Sequence, residues 1–265
     1  MSLNISQQFY EHGFFSPVDM LSHDAAMAHR CELEEVEEEL GSQHYQNKIH
    51  TIMRSAFVLL SDPVLLDAVE EIIGPDIMVY NSTYIIKEPN TPSHVSWHQD
   101  LTYWGLDSDH QVSAWIALSH ANEVSGCMRM IPGSHRSGQL PHVIPENDPN
   151  NVLYQSQTVK NVDEGNAVSC PLKPGQASLH HGWVLHSSAP NRSNDRRIGL
   201  NVQYISPEVR QIKLPGYSAL LLRGEDRYDH YAEETASSEK LNYRGLENQR
   251  KLDNLYNRIA GTPDQ

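Results

Sequence analysis

The sequence predicts a mainly β fold with helical additions, an α+β arrangement in which one sandwich or barrel carries helices at both ends. Three observations predict it. Short apolar-rich segments separated by Gly, Pro, Asn and Asp fill the middle of the chain, as strands and turns do. Helical periodicity marks the first 75 residues and returns near the end. No repeat and no linker-like stretch divides the 265 residues, so the expectation is a single domain spanning 1–265.

In "DAAMAHRCELEEVEEEL" the spacing of Leu33, Val36 and Leu40 is helical, with the glutamates left to water. "DPVLLDAVEEIIG" starts with Asp62 as a natural N-cap and Pro63 at the first helical position, and it stops at Gly74. This helical part, 1–75, is expected to brace a β core over 76–215. The strand-like segments of that core are "IMVYNSTYIIKEP", "HQVSAWIAL", "GCMRMIPGSH", "GQASLHHGWVLHSS" and "RIGLNVQYI". Residues 137–166, with "PENDPNN" inside them, read as a long loop of the lid or binding-loop kind. Beyond 215 a polar extension to 265 includes "EDRYDHYAEETASSEK", expected to be loop or only partly ordered. It ends with Leu252, Leu255, Tyr256 and Ile259 at helical spacing, a helix that would dock on the core or on a second subunit, which leaves monomer and homodimer both open.

Charge removes some functions. A formal charge of −14, from 34 acidic and 20 basic residues, lacks the basic face that nucleic-acid phosphates need. No run of about 18 apolar residues occurs, so no membrane helix is expected. The N-terminal "MSLNISQQFYEHGFF" does not read as a secretory signal. Cys31, Cys127 and Cys170 are sparse, odd in number and without Cys-X-X-Cys spacing, which fits reduced thiols in the cytoplasm and speaks against structural zinc. Fifteen histidines point instead to imidazole chemistry.

"SWHQDLTYW" carries the first candidate. Side chains at i and i+2 of a strand share a face, so His98 and Asp100 can aim a nitrogen and an oxygen at one point. Two histidines and one carboxylate on one side of a metal are the ligand set of non-haem Fe(II) oxygenases. The missing histidine would come from a distant strand, with His110, His120, His135, His142, His180, His181 and His186 as candidates that spacing alone does not separate. The segment after His186 favours that residue. "SSAPNRSNDRRIGLNVQYI" returns as a strand carrying Arg196 and Arg197, and a guanidinium matches the far carboxylate of a metal-chelated cosubstrate.

Taken with that spacing, "WHQD", "AWIAL", "GCMRMIPGSH" and "LHSSAPNRSNDRR…Y" resemble the phytanoyl-CoA dioxygenase (PhyH) family of Fe(II)- and 2-oxoglutarate-dependent oxygenases, over roughly residues 5–225. The resemblance implies a double-stranded β-helix, or jelly roll. It implies that His98, Asp100 and His186 hold Fe(II) and that Arg197 pairs with the distal carboxylate of 2-oxoglutarate, Arg196 being the alternative in a register slipped by one. It further implies cosubstrate contacts from Gln99, Trp115 and Ser188, and more loosely from Tyr84.

The activity so implied uses O2 and decarboxylates 2-oxoglutarate to succinate while an unactivated C–H of a small metabolite is hydroxylated. The presence of Asp100 favours hydroxylation over halogenation, because related halogenases lack that carboxylate. Tyr103, Trp104, Trp183 and Arg129 are the candidates for substrate contact, and the absence of a basic cluster argues against a CoA ester. Two other classes compete: a cupin-like metalloenzyme that uses the same triad without 2-oxoglutarate and needs no Arg197, and a non-catalytic jelly-roll binding protein.

Overall fold

The computed structural model describes residues 4–144, 148–153, 157–214 and 216–261. Helix α1 (Ile5–His12) leads into strand β1 (Phe14–Asp19), a strand inside the stretch that the sequence reads as helical. Helix α2 (His23–Leu40) buries Leu33 and Val36 as their spacing requires, whereas Leu40 at its end stays exposed. After α3 (Arg54–Leu60), the Asp62 carboxylate accepts from the backbone N–H of Val64 and Leu65 and starts α4 (Pro63–Ile73). Gly74 ends that helix at φ +84°, a conformation that favours glycine.

The β core comprises β2 (Ile77–Lys87), β3 (Val95–His98), the one-turn helix α5 (Leu101–Trp104), β4 (Gln111–Ala117), β5 (Met128–Met130), β6 (His142–Val143), β7 (Thr158–Val159), β8 (Val168–Cys170), β9 (Gln176–His180), β10 (His186–Ser188), β11 (Arg197–Ile205), β12 (Ser218–Arg223) and β13 (Ala232–Glu233). Helix α6 (Leu246–Gly261) closes the chain. A seven-stranded sheet runs β1-β9-β4-β11-β2-β12-β13 and a four-stranded sheet runs β3-β10-β5-β8, and together they form the jelly-roll core. β12 lies beyond residue 215, so the main sheet takes in residues that the sequence reads as polar extension.

The large sheet has two chemically distinct faces because side chains alternate along its central strands β4, β9 and β11. Ile198, Leu200, Val202 and Tyr204 of β11, Val112, Ala114 and Ile116 of β4, and Ala177 and Leu179 of β9 join the helices in the main apolar core. The residues between them, Arg197, Asn201, Gln203, Trp115 and His180, line a cavity on the other face. A second apolar cluster receives α6, with Ile259 and Ala260 buried beside Tyr80, Trp104 and Tyr217. The terminal helix therefore docks on the core of its own chain.

The "EDRYDHYAEETASSEK" segment differs from expectation. Tyr231, Glu234 and Ser237 within it are buried. Glu234 pairs with the buried Lys48 ammonium and with His50, at 2.8 Å from the His50 Nε2, while Ser218 Oγ donates to it at 2.6 Å. A composition-based reading misses this because the apolar content is low and the anchor is an ion pair. Of the loop expected over 137–166, Val152 and Leu153 line the cavity, and β6 pairs with β7. The rest of that expectation, at residues 145–147 and 154–156, lies outside the described residues.

Candidate metal centre and its cavity

His98 ends β3 and His186 begins β10, and the two are direct cross-strand partners, their rings 4.0 Å apart between centroids. Asp100 follows β3 with helical backbone at the start of α5, so a turn rather than strand parity brings its carboxylate to the histidines. Asp100 Oδ1 lies 3.4 Å from His98 Nε2 and 3.7 Å from His186 Nε2. One ligand atom from each of the three residues lies within 4.8 Å of the others, a group that could hold a metal ion.

The other ring nitrogens are already committed. His98 Nδ1 sits 2.9 Å from the Ser96 carbonyl and His186 Nδ1 3.1 Å from the Val184 carbonyl. Each therefore carries its proton on Nδ1 and leaves Nε2 as a lone pair facing the centre, the arrangement usual for metal-binding histidines. Burial, and then the neighbouring His98, holds His186 well below the ordinary imidazole range, which keeps it neutral as a ligand must be. Burial alone would push the Asp100 carboxyl up, but His186, His180 and His98 outweigh it and hold it well below the usual carboxylate range.

The same cavity, about 320 Å³, has a cationic end. Arg197 is 2% exposed; it donates from Nη1 to the Gly126 carbonyl at 2.9 Å, and its guanidinium lies 5.0 Å from the Trp115 ring centroid. Its Nε has no partner. Burial lowers it to about 10. Gly199 makes the stacking possible, since a Cβ there would come within 2.0 Å of the Trp115 ring. Behind the wall, the buried Lys87 Nζ donates to Ser188 Oγ at 2.6 Å, to the Ser188 carbonyl at 3.0 Å and to the Ala189 carbonyl at 2.6 Å. Burial first, and then Arg197, lowers Lys87 to about 6. Two buried basic side chains thus share this end, with no described carboxylate bonded to either.

The expected site residues divide into two groups. Trp115, Ser188, Arg197, Tyr103 and Trp104 line the cavity with the triad. Arg196 instead pairs with Glu34, Glu37 and Glu88 at the surface, which removes the slipped register. The other expectations are corrected. Tyr84 lies on the core face of β2, while Thr83 and Ile85, one residue to either side, line the cavity. Gln99 is spent on structure: its amide donates to the Gly138 and Trp183 carbonyls and accepts from Leu140 N–H, all within 2.8 Å. Trp183 packs against the second apolar cluster rather than the cavity. Arg129 pairs with Glu164 at 2.9 Å and covers Trp97.

Sequence reasoning missed Tyr45 and Asn47 before the β core, Asn201 and Gln203 on β11, and Tyr256 and Asn257 on α6, and it held His180 on β9 only as a candidate metal ligand. Part of this was recoverable: once Arg197 faces the cavity, Gly199, Asn201 and Gln203 must face it too. Gln203 Nε2 donates to Tyr256 Oη at 2.8 Å, which ties α6 to the cavity wall.

Fold and cluster together define a jelly-roll protein with a two-histidine, one-carboxylate metal centre opening onto an arginine-ended cavity. Comparison with known proteins narrows that class. The chain belongs to the phytanoyl-CoA dioxygenase (PhyH) family, whose model matches residues 10–199. It is similar to the peroxisomal phytanoyl-CoA dioxygenase of Bos taurus, 28% identical over 162 residues that make up 59% of this chain and 48% of that protein. The chain spans about half the length of the curated relatives it matches. The apo structure of the non-heme monooxygenase ThoJ superposes with a TM-score of 0.82 at 28% identity, covering 96% of this chain and 99% of that one. CytC3 with Fe(II) and alpha-ketoglutarate shares the fold, with a TM-score of 0.64 at 20% identity over 87% of this chain and 91% of that one. Among the described residues, no helix is long and apolar enough to cross a membrane.

Proposed function

We propose that this chain is an Fe(II)- and 2-oxoglutarate-dependent oxygenase that hydroxylates a C–H of a small molecule, with the whole chain acting as one oxygenase domain. One observation carries the reading: the three converging ligands line the same cavity as the buried Arg197, whose Nε has no partner. Iron and 2-oxoglutarate bound there would supply the oxidising chemistry, consuming O2 and releasing succinate and CO2 as a C–H becomes C–OH.

The chain's own groups have defined parts in this reading. His98 and His186 keep their Nε2 lone pairs on the ion because the Ser96 and Val184 carbonyls hold their Nδ1 protons. Arg197 receives the distal carboxylate of the cosubstrate. Lys87 Nζ donates to Ser188 Oγ, so the Ser188 hydroxyl keeps its own hydrogen free to donate to that carboxylate. A buried guanidinium without a described counter-ion is expensive unless a bound anion completes it. That argues against a triad enzyme working without 2-oxoglutarate.

Tyr103, Trp104 and Tyr256 supply aromatic wall beyond the iron end, which excludes water and suits a compact substrate. Among the described lining residues Arg197 is the one Lys or Arg, and a CoA ester would need further cations for its phosphates. The test is anaerobic: Fe(II) and then 2-oxoglutarate are added and the weak visible charge-transfer band of the chelate is recorded. The reading expects a band in the native protein and none in His98→Ala. A native protein without the band, or a variant that keeps it, overturns the proposal.

A further inference from the structure

The two oxygens of Asp100 face different partners. Oδ1 faces the Nε2 atoms of His98 and His186. Oδ2 is 2.9 Å from Ser113 Oγ and 3.2 Å from His180 Nε2. Ser113 on β4 and His180 on β9 are direct cross-strand partners, so their side chains leave the same face of the sheet side by side and bracket one oxygen. Both are buried, Ser113 at 0% and His180 at 1% exposure. Their position is fixed by the ladder of the seven-stranded sheet, while His98 and His186 belong to the other sheet.

The proton on His180 can be assigned. Its Nδ1 is buried with no partner. A buried N–H without an acceptor is rarer and more costly than a buried lone pair without a donor. The hydrogen therefore sits on Nε2 and points at Asp100 Oδ2, beside the hydroxyl hydrogen of Ser113. His180 is also outside the group whose ligand atoms converge within 4.8 Å.

We propose that His180, seconded by Ser113, is a positioning residue that occupies Asp100 Oδ2 with two hydrogen bonds, so that the carboxylate can offer a metal only Oδ1. The proposal rests on the reading of His98, Asp100 and His186 as metal ligands. Its consequence is a coordination count. A carboxylate binding through both oxygens would take a position that a chelating cosubstrate or O2 needs, whereas a carboxylate held by one oxygen leaves three sites open. Removing such a partner typically costs 10- to 100-fold in metal affinity.

The experiment uses the full chain and Co(II) alone as the probe, read by its visible d–d absorption, with 2-oxoglutarate added afterwards. His180→Phe keeps the ring shape without the donor; it should weaken Co(II) about 10- to 100-fold, shift the d–d bands and reduce 2-oxoglutarate binding to the loaded protein. His180→Gln, which restores an N–H near the position of Nε2, should stay within about 3-fold of the native protein, a split that loss of packing alone would not produce. Native affinity and spectrum in His180→Phe overturn the proposal. So does a His180→Gln protein as impaired as His180→Phe, because then the imidazole itself would be the ligand. Should His180→Phe fail to fold, Ser113→Ala decides: weaker Co(II) binding supports the proposal and unchanged binding overturns it. Failure of the underlying metal reading looks different, since the native protein itself would then bind no Co(II).

Discussion

Two buried polar clusters in this protein use the same residue types to opposite ends. In one, Lys48, His50 and Glu234 close on themselves: Glu234 meets the Lys48 ammonium, His50 Nε2 and Ser218 Oγ, and His50 Nδ1 lies 2.7 Å from Ser82 Oγ. No cavity-lining residue belongs to it. In the other, His98, Asp100, His186 and Arg197 line a cavity and leave groups without partners, among them Arg197 Nε and His180 Nδ1. Burial and composition are alike in the two. What separates them is satisfaction: a structural cluster completes its hydrogen bonds and charges within the chain, whereas a site keeps some for a ligand.

The sharpest way to break that contrast is to remove one acid from each cluster. Asp100→Asn should lower Fe(II)–2-oxoglutarate chelate formation by more than about 100-fold, beyond the loss typical of a group that only positions a ligand. Its thermal midpoint should hardly move. Glu234→Gln should do the reverse: it strands a buried ammonium and should cost about 3–5 kcal/mol, lowering the midpoint by roughly 10 °C. Calorimetry and the chelate band on both variants check the pair. If Glu234→Gln were as stable as the native protein, the closed cluster would not be a structural anchor.

Removing the open cluster's cation is the next largest effect. Arg197→Met should weaken 2-oxoglutarate about 30-fold or more, the scale for deleting one partner of a buried charge pair. The ligand-free variant should be no less stable, because it loses a buried charge that lacks a counter-ion. Titration of the chelate band and a melting curve report the two halves.

A smaller effect is set by acidity. Burial alone would raise Glu234, but Lys48 and His50 outweigh it and hold the carboxyl at about 2, against 4.5 for an ordinary glutamate. Because the folded value is the lower one, the stabilisation is present above about pH 4.5 and is lost as pH falls toward 2. Melting curves between pH 6 and 3 should therefore fall with acid more steeply for the native protein than for Glu234→Gln. The smallest effect is the control: Arg129→Ala removes a surface pair with Glu164 and should alter cosubstrate affinity less than about 2-fold and stability by under about 1 kcal/mol.

Legibility tracked the range of the signal. The Asp62 cap with Pro63 after it and the strand-like segment "RIGLNVQYI" are local, and both appear in the structure as read. His98-X-Asp100 needed one long-range guess, His186, and an arginine 11 residues later supplied it. Tyr84 and Gln99 failed by parity, each lying one residue from a cavity-facing neighbour. Trp183 and Arg129 have suitable residue types, which say nothing about direction.

By itself the sequence determined the strand-and-turn core and its helical ends, because these depend on spacing along one strand or helix, and it pointed to the triad through His98-X-Asp100 and the arginine 11 residues after His186. Only the tertiary structure decided that Tyr256 and Asn257 of α6 complete the cavity, that Glu234 anchors a polar tail in the interior, and that His180 and Ser113 meet Asp100. Those contacts join residues from different sheets and opposite ends of the chain. Their partners are chosen by packing and charge compensation in three dimensions, for which no local period exists.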